Sequence, residues 1–225
     1  MWLSKSSIGR KVVMSVTGAC LVLFLLFHGS MNVVAIISPD AYNMICEFLG
    51  ANWYALVASM GLAFLAVVHI LYAFILSVQN YRARGNDRYA VTARQDNVEW
   101  ASKNMLVLGI VIVAFLGMHM AQFWAKMQLA ELTGAEGQFT PTDGAAWIEY
   151  YFQQPLWAAC YFIGLVALWF HLSHGVWSAL HTMGWNGDTW MKRVKCISTI
   201  VATIIVLLFL SVLVYFFVKT NCGCC

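Results

Sequence analysis

Four long apolar runs of this chain each hold a histidine far from any charged residue: His28, His69, His119 and His171. The last run, Leu156–Trp185, also carries His174 and His181. No Asp, Glu, Lys or Arg lies between Pro155 and Thr182. An ionisable group at membrane depth is costly, and its presence there points to function. Imidazole can bind a metal, move a proton or hydrogen-bond a neighbouring helix. A single such histidine reads most simply as a helix–helix hydrogen bond. Four of them, one on each of four runs and matched in depth by twos, read as axial ligands that clamp two b-type haem irons.

The runs must be spans for that chemistry to hold. The chain has 225 residues, 61% of them hydrophobic and 10% charged, whereas a soluble domain carries about 25% charge. This predicts an integral membrane protein with one domain over residues 1–225 and no separate soluble domain. Five runs are each long enough to cross a hydrocarbon core of about 30 Å: 12–37, 53–79, 104–125, 155–183 and 196–218. None holds Asp, Glu, Lys or Arg, and none alternates like a strand. A span must satisfy its own backbone, so the fold class is all-α, a bundle of five transmembrane helices.

A basic start before an apolar core also fits a secretory signal, but the first run is too long for one and no small-residue cleavage site closes it. It is read as a retained span. Ser38-Pro39-Asp40 is expected to end it. The polar segments 81–103, 126–154 and 184–195 read as loops. In the second of these, Trp147, Tyr150, Tyr151 and Phe152 suit a membrane interface. Residues 219–225, ending Cys222-Gly223-Cys224-Cys225, read as a disordered cysteine-rich tail. Outside that tail the cysteines show no C-x-x-C spacing.

Of the 13 Lys and Arg, three precede the first span (Lys5, Arg10, Lys11), five follow the second (Arg82, Arg84, Arg88, Arg94, Lys103) and three follow the fourth (Lys192, Arg193, Lys195). Positive charge marks the cytoplasmic side, which places the N-terminus in the cytoplasm and the C-terminus outside. The expected location is the cytoplasmic (inner) membrane of a cell. With that orientation, His28 and His119 lie about 22–24 Å from the inner surface, and His69 and His171 about 22–24 Å from the outer one. The arithmetic gives an outer pair, His28 with His119, and an inner pair, His69 with His171. Gly175, at i+4 from His171, would let a porphyrin lie close to the helix; Gly29 beside His28 is a weaker sign of the same kind. His174, three residues after His171, competes for the role of inner ligand. His174 and His181 are otherwise read as groups around the haem, such as partners of its propionates.

The pattern His171-x-x-x-Gly175-Val176-Trp177, closing with Gly184-Trp185, resembles the fourth helix of the cytochrome b membrane anchor of succinate:quinone oxidoreductases. Ser7-x-Gly9-Arg10-Lys11 with Thr17-Gly18 and His28 resembles its first helix. His69 before Tyr81-Arg82, and Gly117-Met118-His119, resemble its second and third. The resemblance covers residues 4–218 and is to the single-chain, five-helix, two-haem type of succinate dehydrogenases and quinol:fumarate reductases. It implies two haem b, a cytoplasmic flavoprotein and an iron–sulfur subunit as partners, electron exchange with membrane quinone (menaquinone first), and room for a dimer of complexes. Such a subunit takes part in the enzyme's electron transfer and quinone chemistry without binding the dicarboxylate. The basic loops 81–103 and 184–195 would face the partner. In some fumarate reductases of this type a glutamate two residues before the fourth-helix ligand serves a proton path; here that position is Trp169. Glu47, the glutamate near the outer ends of the first two spans, would suit proton exchange with the quinone if partly shielded. Rival readings are the two-haem cytochrome b of a hydrogenase or formate dehydrogenase, and a haem-free transporter or assembly factor using its histidines for metal or protons.

Overall fold

The structure, a computed structural model, describes residues 6–84, 99–185 and 187–222. Lys5, Arg88, Arg94 and the tail residues Gly223, Cys224 and Cys225 lie outside the described residues. Within them the chain is helical, without strands, and five helices are long and apolar enough to cross a membrane. This is a multi-pass membrane bundle.

The first helix, α1 (Ser7–Ile37), starts where the Ser6 hydroxyl accepts the Gly9 N–H at 2.9 Å. Its end is less of a stop than the residues suggest. Ser38 breaks α1 with an extended backbone and then caps α2 (Pro39–Ala51), accepting the Ala41 N–H at 3.2 Å. Proline is welcome in a first helical turn, and Asp40 there complements the helix dipole. The expected short connection is therefore a 13-residue helix.

After it, α3 (Trp53–Arg84) is the second span, and a single turn, α4 (Trp100–Lys103), leads into α5 (Met105–His119). The backbone widens to π geometry over Met120–Leu129 and finishes as α6 (Ala130–Thr133), closed by Gly134 at φ 66°. The third span thus runs past the expected end at 125, because Gln122 and Ala130 are buried and hold the extension to the bundle. Then come α7 (Gly144–Phe152), α8 (Pro155–Thr182) and α9 (Asp188–Asn221).

The last helix corrects two expectations. Lys192, Arg193 and Lys195 stand on α9 and not in a loop. At 34 residues it is about 51 Å long, more than the hydrocarbon core requires, so its basic first turns project beyond it. Residues 219–221 are helical too. Lys219 Nζ donates to Glu149 Oε2 at 3.1 Å, and Asn221 Nδ2 to the Gln153 carbonyl at 2.9 Å, which ties this end to α7. The aromatic cluster on α7 also faces inward more than expected: Trp147 is 3% exposed, and its indole N–H donates to the Thr140 carbonyl.

The core lies among α1, α8 and α9, with Leu165, Leu168, Ala202, Ile205 and Val212 at its centre. α5 leans on α8, and α3 packs mainly along α1, leaving Val57, Phe64, Leu71 and Phe74 exposed. Such an apolar face suits lipid, against which helices associate through close packing. A close approach is at Gly164 on α8, where a Cβ would fall 2.5 Å from the Phe115 ring of α5. Gly29 is also a packing contact, against Leu208 and Phe209 of α9, and does not open space beside His28. We expect Gly164→Val to push α5 away and to lower stability by about 1–3 kcal/mol. Thermal unfolding in detergent, set beside Gly109→Ala, where a Cβ meets nothing within 4 Å, checks this.

Candidate functional site: two facing histidine pairs

The four deep histidines come together by twos. The rings of His28 on α1 and His119 at the end of α5 have centroids 5.9 Å apart at an interplanar angle of 73°. Those of His69 on α3 and His171 on α8 lie 6.5 Å apart at 69°. Thr17 touches His69 on α1, and His28 lies 11 residues further along the same helix, so the two levels are about 16 Å apart. His174 is turned elsewhere: its Nδ1 lies 3.4 Å from Glu99 Oε2. The ring that meets His69 is therefore that of His171. His181 is exposed near the end of α8, with its ring 6.4 Å from that of Trp177.

The neighbours of each ring decide which nitrogen is available. The Thr17 hydroxyl donates its one proton to the Val13 carbonyl at 2.8 Å and lies 3.0 Å from His69 Nδ1. With that proton engaged, the hydroxyl would accept from Nδ1–H and leave the lone pair on Nε2. His119 repeats the arrangement. The Tyr161 hydroxyl donates to Gln122 Oε1 at 2.9 Å and lies 3.4 Å from His119 Nδ1. At His28, Asn32 Nδ2 donates to the His28 carbonyl at 2.7 Å and approaches the ring, while Asn32 Oδ1 accepts from the Tyr42 hydroxyl at 2.9 Å. Burial, and then Cys46, push the pKa of Tyr42 up and keep it a donor. His171 Nδ1 is buried without a hydrogen-bond partner among the described residues.

Two imidazoles sharing one metal, each at about 2.0 Å from it, have centroids about 6 Å apart. Both pairs fit that spacing. Among the described residues, no three His, Cys, Asp or Glu gather as a metal site. Two further observations suit a bulky planar group at the His69–His171 level. A Cβ at Gly175 would meet nothing within 4 Å. The orphaned His171 Nδ1 belongs to a ring with no protein partner to orient it. Phe24, stacked on His28 at 5.3 Å and 10°, and Phe123, 5.2 Å from His119, wall the other level.

Beside His171, α9 supports α8 directly. The Ser198 hydroxyl, fully buried, donates to the Ser173 carbonyl at 2.7 Å and accepts the Trp177 N–H at 3.2 Å. Nearby, Glu99 gathers Lys195 at 2.7 Å, the Trp177 indole N–H at 3.1 Å and His174. Glu47, by contrast, is exposed on α2 and not shielded by protein. Thr17, Tyr161, Gln122, Asn32, Ser198 and Glu99 were not singled out from the sequence as partners of the histidines. The available signal was a polar side chain within an apolar run, which marks Gln122 and Asn32 but not Tyr161.

Comparison of the chain with protein-family models, with curated proteins and with solved structures finds no match in any of the three.

Burial raises the Glu99 carboxyl, but the hydrogen bonds from Lys195 and His174, with the Lys195 charge and Trp177, outweigh it and bring the group below the usual carboxylate range. A depressed folded value adds stability that is present above the unfolded carboxyl range and lost as pH falls through the folded one. The stability gap between the parent chain and Glu99→Gln is therefore expected at pH 7 and should close toward pH 4. Melting temperatures across that range check the sign.

Proposed function

We propose that this chain is the haem-bearing membrane anchor of a succinate:quinone oxidoreductase, carrying electrons between an iron–sulfur subunit and membrane quinone through two bis-histidine b haems. The observation that carries the reading is the pairing of four histidines from four helices into two facing sets, at two levels of one apolar bundle. The five-helix architecture supports the comparison with two-haem anchors, and menaquinone is the quinone we favour.

In this reading, Nε2 of His28 and His119 holds one haem, and Nε2 of His69 and His171 the other. Haem held by these four histidines would supply reversible one-electron chemistry. The chain's own contribution is position and tuning. The Thr17 and Tyr161 hydroxyls accept from Nδ1–H and so present the metal-binding nitrogen of His69 and His119. The apolar walls exclude water and lower the local dielectric. His174, held by Glu99, and the more exposed His181 are offered as groups around the haem of the His69–His171 level. Glu47, exposed on the helix that follows α1, is offered as the group that takes or gives a proton at a quinone near the other level, with the shielding left to the bound quinone. The basic first turns of α9 would face a flavoprotein and iron–sulfur pair on the cytoplasmic side, with the N-terminus on that side.

The test is colour and stoichiometry. The purified chain should show b-type bands in reduced-minus-oxidised spectra, with two haems per chain. His28→Ala or His119→Ala should each remove one haem, and His69→Ala or His171→Ala the other, while His174→Ala keeps both. A chain isolated folded but colourless would end the proposal. Co-purification with flavin and iron–sulfur subunits, and reporter fusions at both termini, test partner and orientation. Glu47→Gln with full haem content should lower quinol turnover at least tenfold; unchanged turnover removes Glu47 from the site.

A further inference from the structure

The two histidines of the His28–His119 level are held very differently, and the hold on His119 has a direction. Tyr161 lies on α8, 10 residues before His171, so a rise of about 15 Å carries it from one histidine level to the other. It is 5% exposed and packs edge-on against Phe115, Phe123 and Phe152. Its hydroxyl is the one protein group within hydrogen-bond reach of His119 Nδ1 among the described residues. Gln122, 6% exposed, lies in the π-helical segment that begins just after His119. π geometry is rare and tends to mark sites where a helix must place one side chain out of its ordinary register. Here the side chain so placed is the acceptor of the Tyr161 proton.

A phenol has a single proton. With it given to Gln122 Oε1, the phenol oxygen can serve His119 only as an acceptor. With Gln122 Oε1 as the acceptor the relay runs from His119 Nδ1–H to Tyr161 and on to Gln122, whose Nε2 is buried without a hydrogen-bond partner among the described residues. Taking the hydrogen bond from Nδ1–H makes the imidazole a stronger donor through Nε2. A stronger donor favours the oxidised form of a metal bound there.

We infer that Gln122, acting through Tyr161, is the positioning residue that fixes the tautomer of His119 and sets the reduction potential at the His28–His119 level alone. This rests on the haem reading proposed above, and it assigns Tyr161 and Gln122 a tuning role that packing alone would not give them. At the other level the Thr17 hydroxyl meets His69 by itself, with its proton on its own helix, and among the described residues His171 Nδ1 has no partner. The two levels are thus tuned separately.

The test is a redox titration of the purified, haem-loaded chain, with the two transitions assigned through His28→Ala, which should retain only the other haem. Tyr161→Phe keeps the ring packing and removes the relay. It should raise the potential of the His28–His119 haem by the equivalent of about a tenfold change in its oxidised-to-reduced ratio, about 59 mV for one electron, and leave the other transition in place. Gln122→Leu removes the acceptor of the Tyr161 proton and weakens the phenol as an acceptor for His119. It should shift the same transition in the same direction and change the low-temperature EPR signature of that haem alone. If both variants hold two haems at the parent potentials, or shift both transitions alike, the inference is overturned while the haem reading stands. If Tyr161→Phe loses both haems, its role is structural and the inference is likewise overturned. If the parent chain binds no haem, the proposed function falls first and this inference with it.

Discussion

An imidazole inside a lipid-spanning bundle needs a partner for each of its two nitrogens, and the polar part of this structure follows from that need. Water is not at hand to satisfy them, so each nitrogen left over costs free energy comparable to a lost hydrogen bond. At His69 and His119 the bundle meets the demand on one side of the ring with hydroxyls whose own proton is engaged elsewhere. The Thr17 proton is engaged by its own helix, as the proton of a helical threonine commonly is, and that of Tyr161 by Gln122. These hydroxyls are acceptors by exhaustion. The rings themselves meet in facing pairs from helices distant in sequence, α1 with α5 and α3 with α8.

The packing divides along the same line. Helices α1, α8 and α9 form the close-packed part, with fully buried Val194, Ala202 and Ile205 between them. Helices α3 and α5 each bring one histidine to this part from the periphery. α3 in particular buries almost nothing by itself and leans chiefly on α1. A group seated between the rings would add contact where the protein alone has least of it. Binding to the folded state only is a source of stability in its own right.

Much of this was legible in the residues. Apolar runs without charge gave five spans, because only a helix satisfies its backbone in lipid. A fixed rise per residue then put His28 level with His119, and His69 level with His171, before any contact was known. Helix ends were read less well, for a physical reason. Charged residues are excluded from the hydrocarbon layer, not from helices, so Lys192, Arg193 and Lys195 extend α9 where they seemed to end it, and Lys126 rides on the continuation of α5. Ser38-Pro39 looked like a terminator because the same residues that stop one helix start the next. The partners of the histidines were the least legible. Tyr161 is one aromatic among many in its run, and nothing in its neighbours says that its hydroxyl meets a ring 42 residues away. A π segment carries no residue signature at all. Choosing between His171 and His174 needed the position of Glu99, which is remote in sequence from both.

The buried serine of α9 has a consequence of its own. Ser198 bonds both the Ser173 carbonyl and the Trp177 N–H, an acceptor and a donor that the continuous helix α8 also pairs with each other. Sliding α9 along α8 by one residue would strand its hydroxyl in an oily layer. The two helices therefore behave as a keyed hairpin with one allowed offset. Their connecting turn can change in length, but the segment from Ser173 to Trp177 has no slack. A push on the water-facing stalk of α9 would reach the turn of α8 next to His171 as a rigid displacement, not as a loosening.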